Sequence, residues 1–525
     1  KPELEQALLN ADSEKALKDA EDAILQDIAD ALPATPYTIT TSWRYLAMLG
    51  NPLTHIRNIV SNAAMLATRT ITRFERGLVE DVFMSDAEQG KRTATLRAAS
   101  PEIKAFAQSD YNIMRETLQA GGKVGFMQQI QMKRNMFGKN PVGRTLNNAA
   151  KGNLAALEWE DGVFLRLVYT EALASYLTAN NYTYAFLSDG SAKANDALGR
   201  ARAHAIKEAQ RATYRDFNSV AQFLNKGKRI PGLGLVIEAN MPFTRTPLNI
   251  AKRAVEYSPV GLAAAAKQFF WDVRRGKMNA ADALNTLCSG MTGTGIFALG
   301  VLLAGHGIIK AGGDDDDRAE KFDEMLGRQK YSISTPGGTL FGVEIPPANV
   351  TFDWLTPVCI PFFAGASFAE WLDERMKGDE TGVAAARKIL NTLIDALSTS
   401  FDPLMQLSVL SGLNDLLSSY KGGDTDKLGG IGQMIENTVS NYASQYVPTL
   451  GGQIARTVDP TRRVTYASKD TDFPLGKWGE QTARKMVNKV PVLRSKVNEP
   501  YIDAWGRDES SSYGPDTPAG YAFRA

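Results

Sequence analysis

The residues suited to bond-making chemistry are few in this 525-residue chain: His55, His204, His306, Cys288 and Cys359 are all its histidines and cysteines. Neither His55 nor His204 has a partner at the HExxH spacing that seats a metal on one helix face. Two cysteines exclude a disulfide framework and any Cys-rich zinc or iron–sulfur module. Residues 314–317 are four consecutive aspartates. Calcium loops alternate their ligands around a glycine turn, so this run reads as a solvated acidic turn. Gly227, Gly232 and Gly234 lack the GxxxxGK[ST] pattern of a phosphate loop, the 290–295 glycines lack a lysine, and no GxSxG elbow occurs. These absences lead to the expectation of a non-enzymatic protein without metal or cofactor. One cluster has the chemistry of a binding site. Lys123, Lys133, Arg134, Lys139 and Arg144 lie in a glycine-punctuated segment with Phe126 and Phe137 interleaved. That pattern suits a basic surface loop, or a hold on the phosphate backbone of double-stranded DNA.

The elements that must carry these residues read as helices nearly throughout. Residues 53–83 show an apolar stripe of Ile56, Val60, Ala63, Ala67, Ile71, Phe74, Leu78 and Val82, with Arg57, Arg69, Arg73 and Arg76 opposite. Pro52 is placed to start that helix. Residues 84–100 read as a polar loop. Helical pattern returns at 101–119, 154–177 and 192–224, and again at 248–257 and 259–275. The only β signal is a hairpin, with residues 330–335 turning at Pro336-Gly337-Gly338 and returning over 340–345. Residues 354–369 are uncharged but hold Pro357 and Pro361, so they read as re-entrant, interfacial or core. Two amphipathic helices follow over 387–420. The segmentation expected is 1–225, 226–313, 314–458 and a C-terminal arm over 459–525 that depends on partners for its order.

The central feature is residues 283–309, which are 27 consecutive positions without Asp, Glu, Lys or Arg. About 20 apolar residues suffice to cross a bilayer. Six of the 27 are glycines, each costing about 1 kcal/mol relative to Ala in a water-exposed helix. Such a stretch is either the buried core of a soluble protein, or a helix that packs against lipid or against copies of itself. The second reading makes Ile296, Phe297, Leu299, Gly300, Val301, Leu302, Leu303 and Ala304 the membrane- or oligomer-facing residues. His306 lies inside it and reads as bonded to a helix neighbour. The basic residues Arg274, Arg275 and Lys277 precede it, next to an aromatic end at Phe269, Phe270 and Trp271 that suits a membrane interface.

Charge is balanced, with 59 Lys and Arg against 58 Asp and Glu, so a chain built mainly to soak up polyanions is excluded. Hydrophobic residues at 44% exclude global disorder. A chain that begins at Lys1 rather than methionine is expected to belong to a longer polypeptide.

Three phrases carry a family resemblance: residues 49–62 (LGNPLTHIRNIVSN), 241–252 (MPFTRTPLNIAK) and 500–507 (PYIDAWGR). They resemble phage and mobile-element large polyvalent proteins and their associated helical domains. The resemblance implies an internal virion or ejection protein, packaged with the genome and delivered into the host. It brings no catalytic residues. Together these readings predict a mainly α, elongated multi-helix protein with one small β-hairpin and an extended C-terminal tail. The function expected is that of a non-enzymatic part of a homo-oligomeric conduit, in the virion and then in the host cell envelope, touching other ejection proteins, DNA and membrane. The rivals are a structural head or tail component lining the portal or tail channel without entering lipid, and an enzymatic nuclease or murein-cleaving domain.

Overall fold

Several of the long helices start where the sequence supplies both a cap and a proline. The computed structural model describes residues 1–84 except 33–34, 91–120, 135–228 except 139, then 230, 234, 237 and 243–310. It also describes 331–352 except 336–337, 341–342 and 346–347, then 355–376, and 443–508 except 469–470, 474–475 and 503–505. The first helices are α1 (Pro2–Leu9), α2 (Glu14–Ala31), α3 (Pro36–Leu49) and α4 (Pro52–Phe83). Thr35 and Thr38 form a capping box on α3, and Asn51 Oδ1 accepts from the Leu53 amide at 3.0 Å to open α4. Such caps contribute about 1 kcal/mol each. A polar loop over 91–100 then leads to α5 (Pro101–Ala120). Next come α6 (Pro141–Ala179), α7 (Tyr184–Ser188), α8 (Ala192–Ala212) and α9 (Ser219–Gly227). The single helix expected over 192–224 is therefore two. Tyr214 sits at φ 57°, which ends α8, and Asn218 recaps the chain by accepting from the Val220 and Ala221 amides.

The first core lies between α5, α6 and α8. Ala194, Ala197, Ala201, Ala205, Ala209 and Ala212 give α8 a buried face of single methyls at helical spacing. Side chains that small let α8 lie close to the Leu165, Tyr169, Leu173 and Leu177 ridge of α6. Asp110 is fused into this core: Tyr169 donates its hydroxyl to Asp110 Oδ2 at 2.6 Å, and Arg202 Nε donates to Oδ1 at 3.0 Å.

The chain continues through α10 (Arg245–Glu256), α11 (Pro259–Lys267) with a π turn over Gln268–Val273, and α12 (Ala280–Gly305). Five short strands follow: β1 (Ile309–Lys310), β2 (Ser332–Thr335), β3 (Gly338–Leu340), β4 (Val343–Ile345) and β5 (Ala348–Thr351). The expected hairpin is corrected in its pairing. β3 pairs with β4, and β2 pairs instead with β1 and β5, in the order β1-β2-β5. Register places Ile309, Ile333 and Val350 in one row. Ile309 and Ile333 from that row pack with Tyr331 and Phe363, and that burial fixes the pairing.

The described part of the 354–369 stretch, residues 355–369, is core: α13 (Cys359–Met376) buries Phe363 and Ala366, with Pro361 tolerated in its first turn. The expected C-terminal arm over 459–525 carries short helices in its described residues. After α14 (Thr449–Val458) the tail holds α15 (Gly476–Val487) and α16 (Leu493–Val497). Asp459 pairs with Arg463 and Arg494 within this part. The described tail also returns to the N-terminal region. Trp43 Nε1 donates to the Tyr446 carbonyl at 2.9 Å, and Thr449 Oγ1 donates to the Ala47 carbonyl at 3.0 Å.

Candidate membrane-facing and subunit-facing surface

Three of the glycines in α12 are notches for neighbouring backbone. A Cβ at Gly290 would lie 2.7 Å from Leu262 N, and one at Gly293 would lie 2.6 Å from Ser258 N. At Gly300 it would meet the Phe362 carbonyl of α13. Reciprocally, a Cβ at Gly365 of α13 would stand 2.8 Å from Phe297 C. These contacts let α11 and α13 approach to backbone distance along one side of α12. Gly295 and Gly305 meet nothing within 4 Å.

The other side of α12 faces outward. It is the one described helix long and apolar enough to cross a membrane, and only 39% of its most apolar stretch is buried. Met291, Gly295, Ala298, Leu299 and Leu302 form the exposed strip, with Leu302 61% exposed. Of the eight residues expected to face lipid or another copy, Leu299 and Leu302 are exposed on this outward side. Phe297 and Gly300 are not: Phe297 is buried on Phe368 of α13, and Gly300 is the notch for Phe362. Ile296 and Val301 are half-buried, Val301 beside Phe297. Leu303 and Ala304 are half-buried against the core around Phe363. The misassignment came from treating the segment as uniform, when its glycine side is spent on intramolecular packing. His306 Nδ1 donates to the Leu302 carbonyl at 2.7 Å, as expected of a helix-bonded histidine.

The second outward face belongs to α4 and is inverted relative to an ordinary amphipathic helix. Such a helix buries its apolar stripe and leaves its charges in water. Here Asn62, Thr68, Thr72, Arg76 and Glu80 are buried, while Ile56, Val60, Ile71, Phe74, Leu78 and Val82 are exposed. From Ile56 to Val82 the stripe runs about 39 Å at 1.5 Å per residue. Ile71, Phe74, Leu78 and Val82 are 44–67% exposed. Full burial of such a side chain contributes about 1.5–3 kcal/mol, so these four leave roughly 3–6 kcal/mol unrealised. Both faces of α4 are legible in the sequence, but periodicity does not say which one is inside.

The buried face joins a charged interior. Glu80 accepts from the Thr93 and Ala94 amides at 2.6 and 2.8 Å. The Thr72 and Thr292 hydroxyls are 2.8 Å apart, linking α4 to α12. Glu208 of α8 receives Arg69 Nη2 at 2.5 Å and Asn285 Nδ2 at 3.3 Å, with Arg76 Nη1 at 3.8 Å. Burial alone would raise the Glu208 carboxyl, but Arg69, Arg76 and Arg211 outweigh it and hold it well below the usual range. Burial pushes His204 down to about 4, so it is neutral inside. The Arg211–Glu256 pair at 2.8 Å and the Lys207–Asp282 pair at 2.5 Å cross the boundary expected at residue 226.

Residues carrying the family resemblance hold the fold. Besides Asn51, His55 places Nδ1 2.6 Å from Glu160 Oε1 and Nε2 2.8 Å from Asn153 Oδ1. Asn58 donates to Glu160 Oε2 at 2.9 Å. Asn249 donates from Nδ2 to the Tyr214 and Asp216 carbonyls at 2.8 and 2.9 Å, pinning the turn between α8 and α9. Of the basic segment, Arg144 lies exposed on the first turns of α6, whereas Lys123, Lys133, Arg134 and Lys139 lie outside the described residues, as does the 314–317 aspartate run. Among the described residues no three of His, Cys, Asp and Glu converge as metal ligands. Compared with protein-family models, curated proteins and solved structures, the chain matches none.

Proposed function

We propose that the chain is an internal virion protein of the ejection type, acting without catalysis as part of a homo-oligomeric conduit that carries genome across the host envelope. In this reading the outward faces of α4 and α12 meet lipid after delivery, and the basic helical surfaces meet DNA or other ejection proteins. The observation that carries it is the inversion of α4. A subunit that turns charge and hydroxyls inward and about 39 Å of apolar stripe outward is organised for a non-aqueous neighbour, and a bilayer core of about 30 Å is one it can span. The three resemblance phrases support the phage setting. Mostly local helical contacts, which refold quickly, suit a protein that passes through a narrow channel.

Flotation with anionic liposomes tests this. The intact chain should rise with the vesicles, and Phe74→Asp/Leu78→Asp should stay in the lower fraction with unchanged circular dichroism. An intact chain that stays below with or without vesicles contradicts the reading and favours a channel-lining component that never enters lipid.

A further inference from the structure

The chain enters α12 through a helical hairpin. Ser258 lies against Gly293 and Leu262 against Gly290, so α11 runs antiparallel to α12 and residues 268–279 form the closed end. The π turn sits there, and Gly276 at φ 68° closes it, its amide donating to the Val273 carbonyl at 3.0 Å. Turns of this kind concentrate at functional sites. Phe270 is 71% exposed and Trp271 55%, whereas Phe269 is half-buried. The Arg275 guanidinium stacks over the Trp271 ring at 4.1 Å, which holds a cation beside the exposed rings. Lys267, Arg274, Arg275 and Lys277 are all exposed, and none of them forms an ion pair among the described residues. The acidic groups over residues 267–282 are Asp272, which is half-buried, and Asp282, which Lys207 already holds at 2.5 Å. Basic charge without acidic partners and two large exposed aromatics therefore share one bend. Duplex DNA would meet these cations but offers no unstacked base to Phe270 and Trp271. A phospholipid interface takes both, the rings entering between headgroups and the cations meeting their phosphates.

We propose that this bend is a headgroup anchor for anionic phospholipid, with Arg274, Arg275 and Lys277 on the headgroups and Phe270 and Trp271 seated among the upper acyl chains. The inference rests on the membrane reading and adds the class of lipid and the end of α12 that grips it.

The test is flotation of the intact chain with vesicles of phosphatidylcholine alone and of phosphatidylcholine with one-third phosphatidylglycerol. The chain should partition more strongly into the anionic vesicles. A basic residue near an anionic surface multiplies the partition coefficient roughly fivefold, so Arg274→Gln/Arg275→Gln/Lys277→Gln should lose roughly 100-fold there, with circular dichroism unchanged. Lys104→Gln/Lys193→Gln/Lys496→Gln, an equal change of charge at exposed positions elsewhere, should keep the preference. Phe270→Ser/Trp271→Ser should weaken binding to both kinds of vesicle. Equal binding of the parent to both vesicles, or a preference that survives in the bend variant, overturns the anchor and leaves the membrane reading standing. Equal loss in the two triple variants assigns the preference to net charge and overturns the anchor as well. A bend variant that keeps its vesicle preference but no longer shifts duplex DNA makes the bend a nucleic-acid surface instead. A parent that floats with neither vesicle overturns the membrane reading together with the anchor.

Discussion

Gly293 and Gly295 lie two residues apart on α12, yet replacing each by Ala should move the helix in opposite directions. A Cβ at 293 would lie on the Tyr257 carbonyl, closer still than its 2.6 Å from Ser258 N, so the backbone must retreat by more than about 1 Å to reach the 3.4 Å where ordinary contact begins. Overpacking of this kind costs about 1–3 kcal/mol. The better helix propensity of Ala returns about 1 kcal/mol, leaving a net loss of about 1 kcal/mol and at most about 2. At 295 nothing lies within 4 Å, so Gly295→Ala should collect the propensity gain of about 1 kcal/mol. The two variants then differ by about 2 kcal/mol or more, which is roughly 30-fold in local opening. Hydrogen exchange read by mass spectrometry over residues 280–305 measures that directly. Gly293→Ala should exchange faster and Gly295→Ala slower than the parent. Equal shifts of the same sign would refute the close α11–α12 contact. A loss at Gly295→Ala would show the outer face already closed against another helix.

Four further outcomes follow from the packing of the helices. Glu208→Gln removes the carboxylate shared by Arg69 and Arg76 and should cost about 3–5 kcal/mol in urea unfolding. Glu171→Gln, whose pair with Arg73 is about one-third exposed, should cost less than about 1 kcal/mol. His204 has a folded value of about 4 against 6.5 ordinarily, so the unfolded chain binds the extra proton. Its contribution is therefore complete above pH 6.5 and falls as pH drops toward 4, by roughly 3 kcal/mol at an unfolding slope of one proton. His204→Phe should flatten that part of the pH–stability curve. Asn249→Ala strands the Tyr214 and Asp216 carbonyls and should cost about 2–3 kcal/mol, seen as faster exchange across residues 213–221.

The helical class and most helix starts were legible, because Pro52, Pro101 and Pro259 each sit at a first turn that the sequence marks. The uncharged segment was legible as a helix, though its structured limits are Ala280–Gly305 rather than 283–309. What it packs against was not. Glycines at 290, 293 and 300 look identical in sequence to those at 295 and 305, and only the positions of Leu262, Tyr257 and Phe362 separate notch from open surface. The orientation of α4 was hidden for a similar reason. Its stripe and its polar face are both periodic, and Glu208, Asn285 and Thr292, which draw the polar face inward, lie more than 130 residues away. The β5 strand was missed because four residues, Ala348–Thr351, are too short for a pattern without their partner β2.

The most direct measurement places a nitroxide-sensitive fluorophore on Phe74→Cys, Leu302→Cys and, as control, Arg144→Cys. The native thiols Cys288 and Cys359 are buried and stay unlabelled. With spin-labelled lipids in the vesicles, the account predicts strong quenching at 74 and 302 from mid-acyl nitroxides and none at 144. Equal, weak quenching at all three positions in vesicles that retain the protein would contradict it.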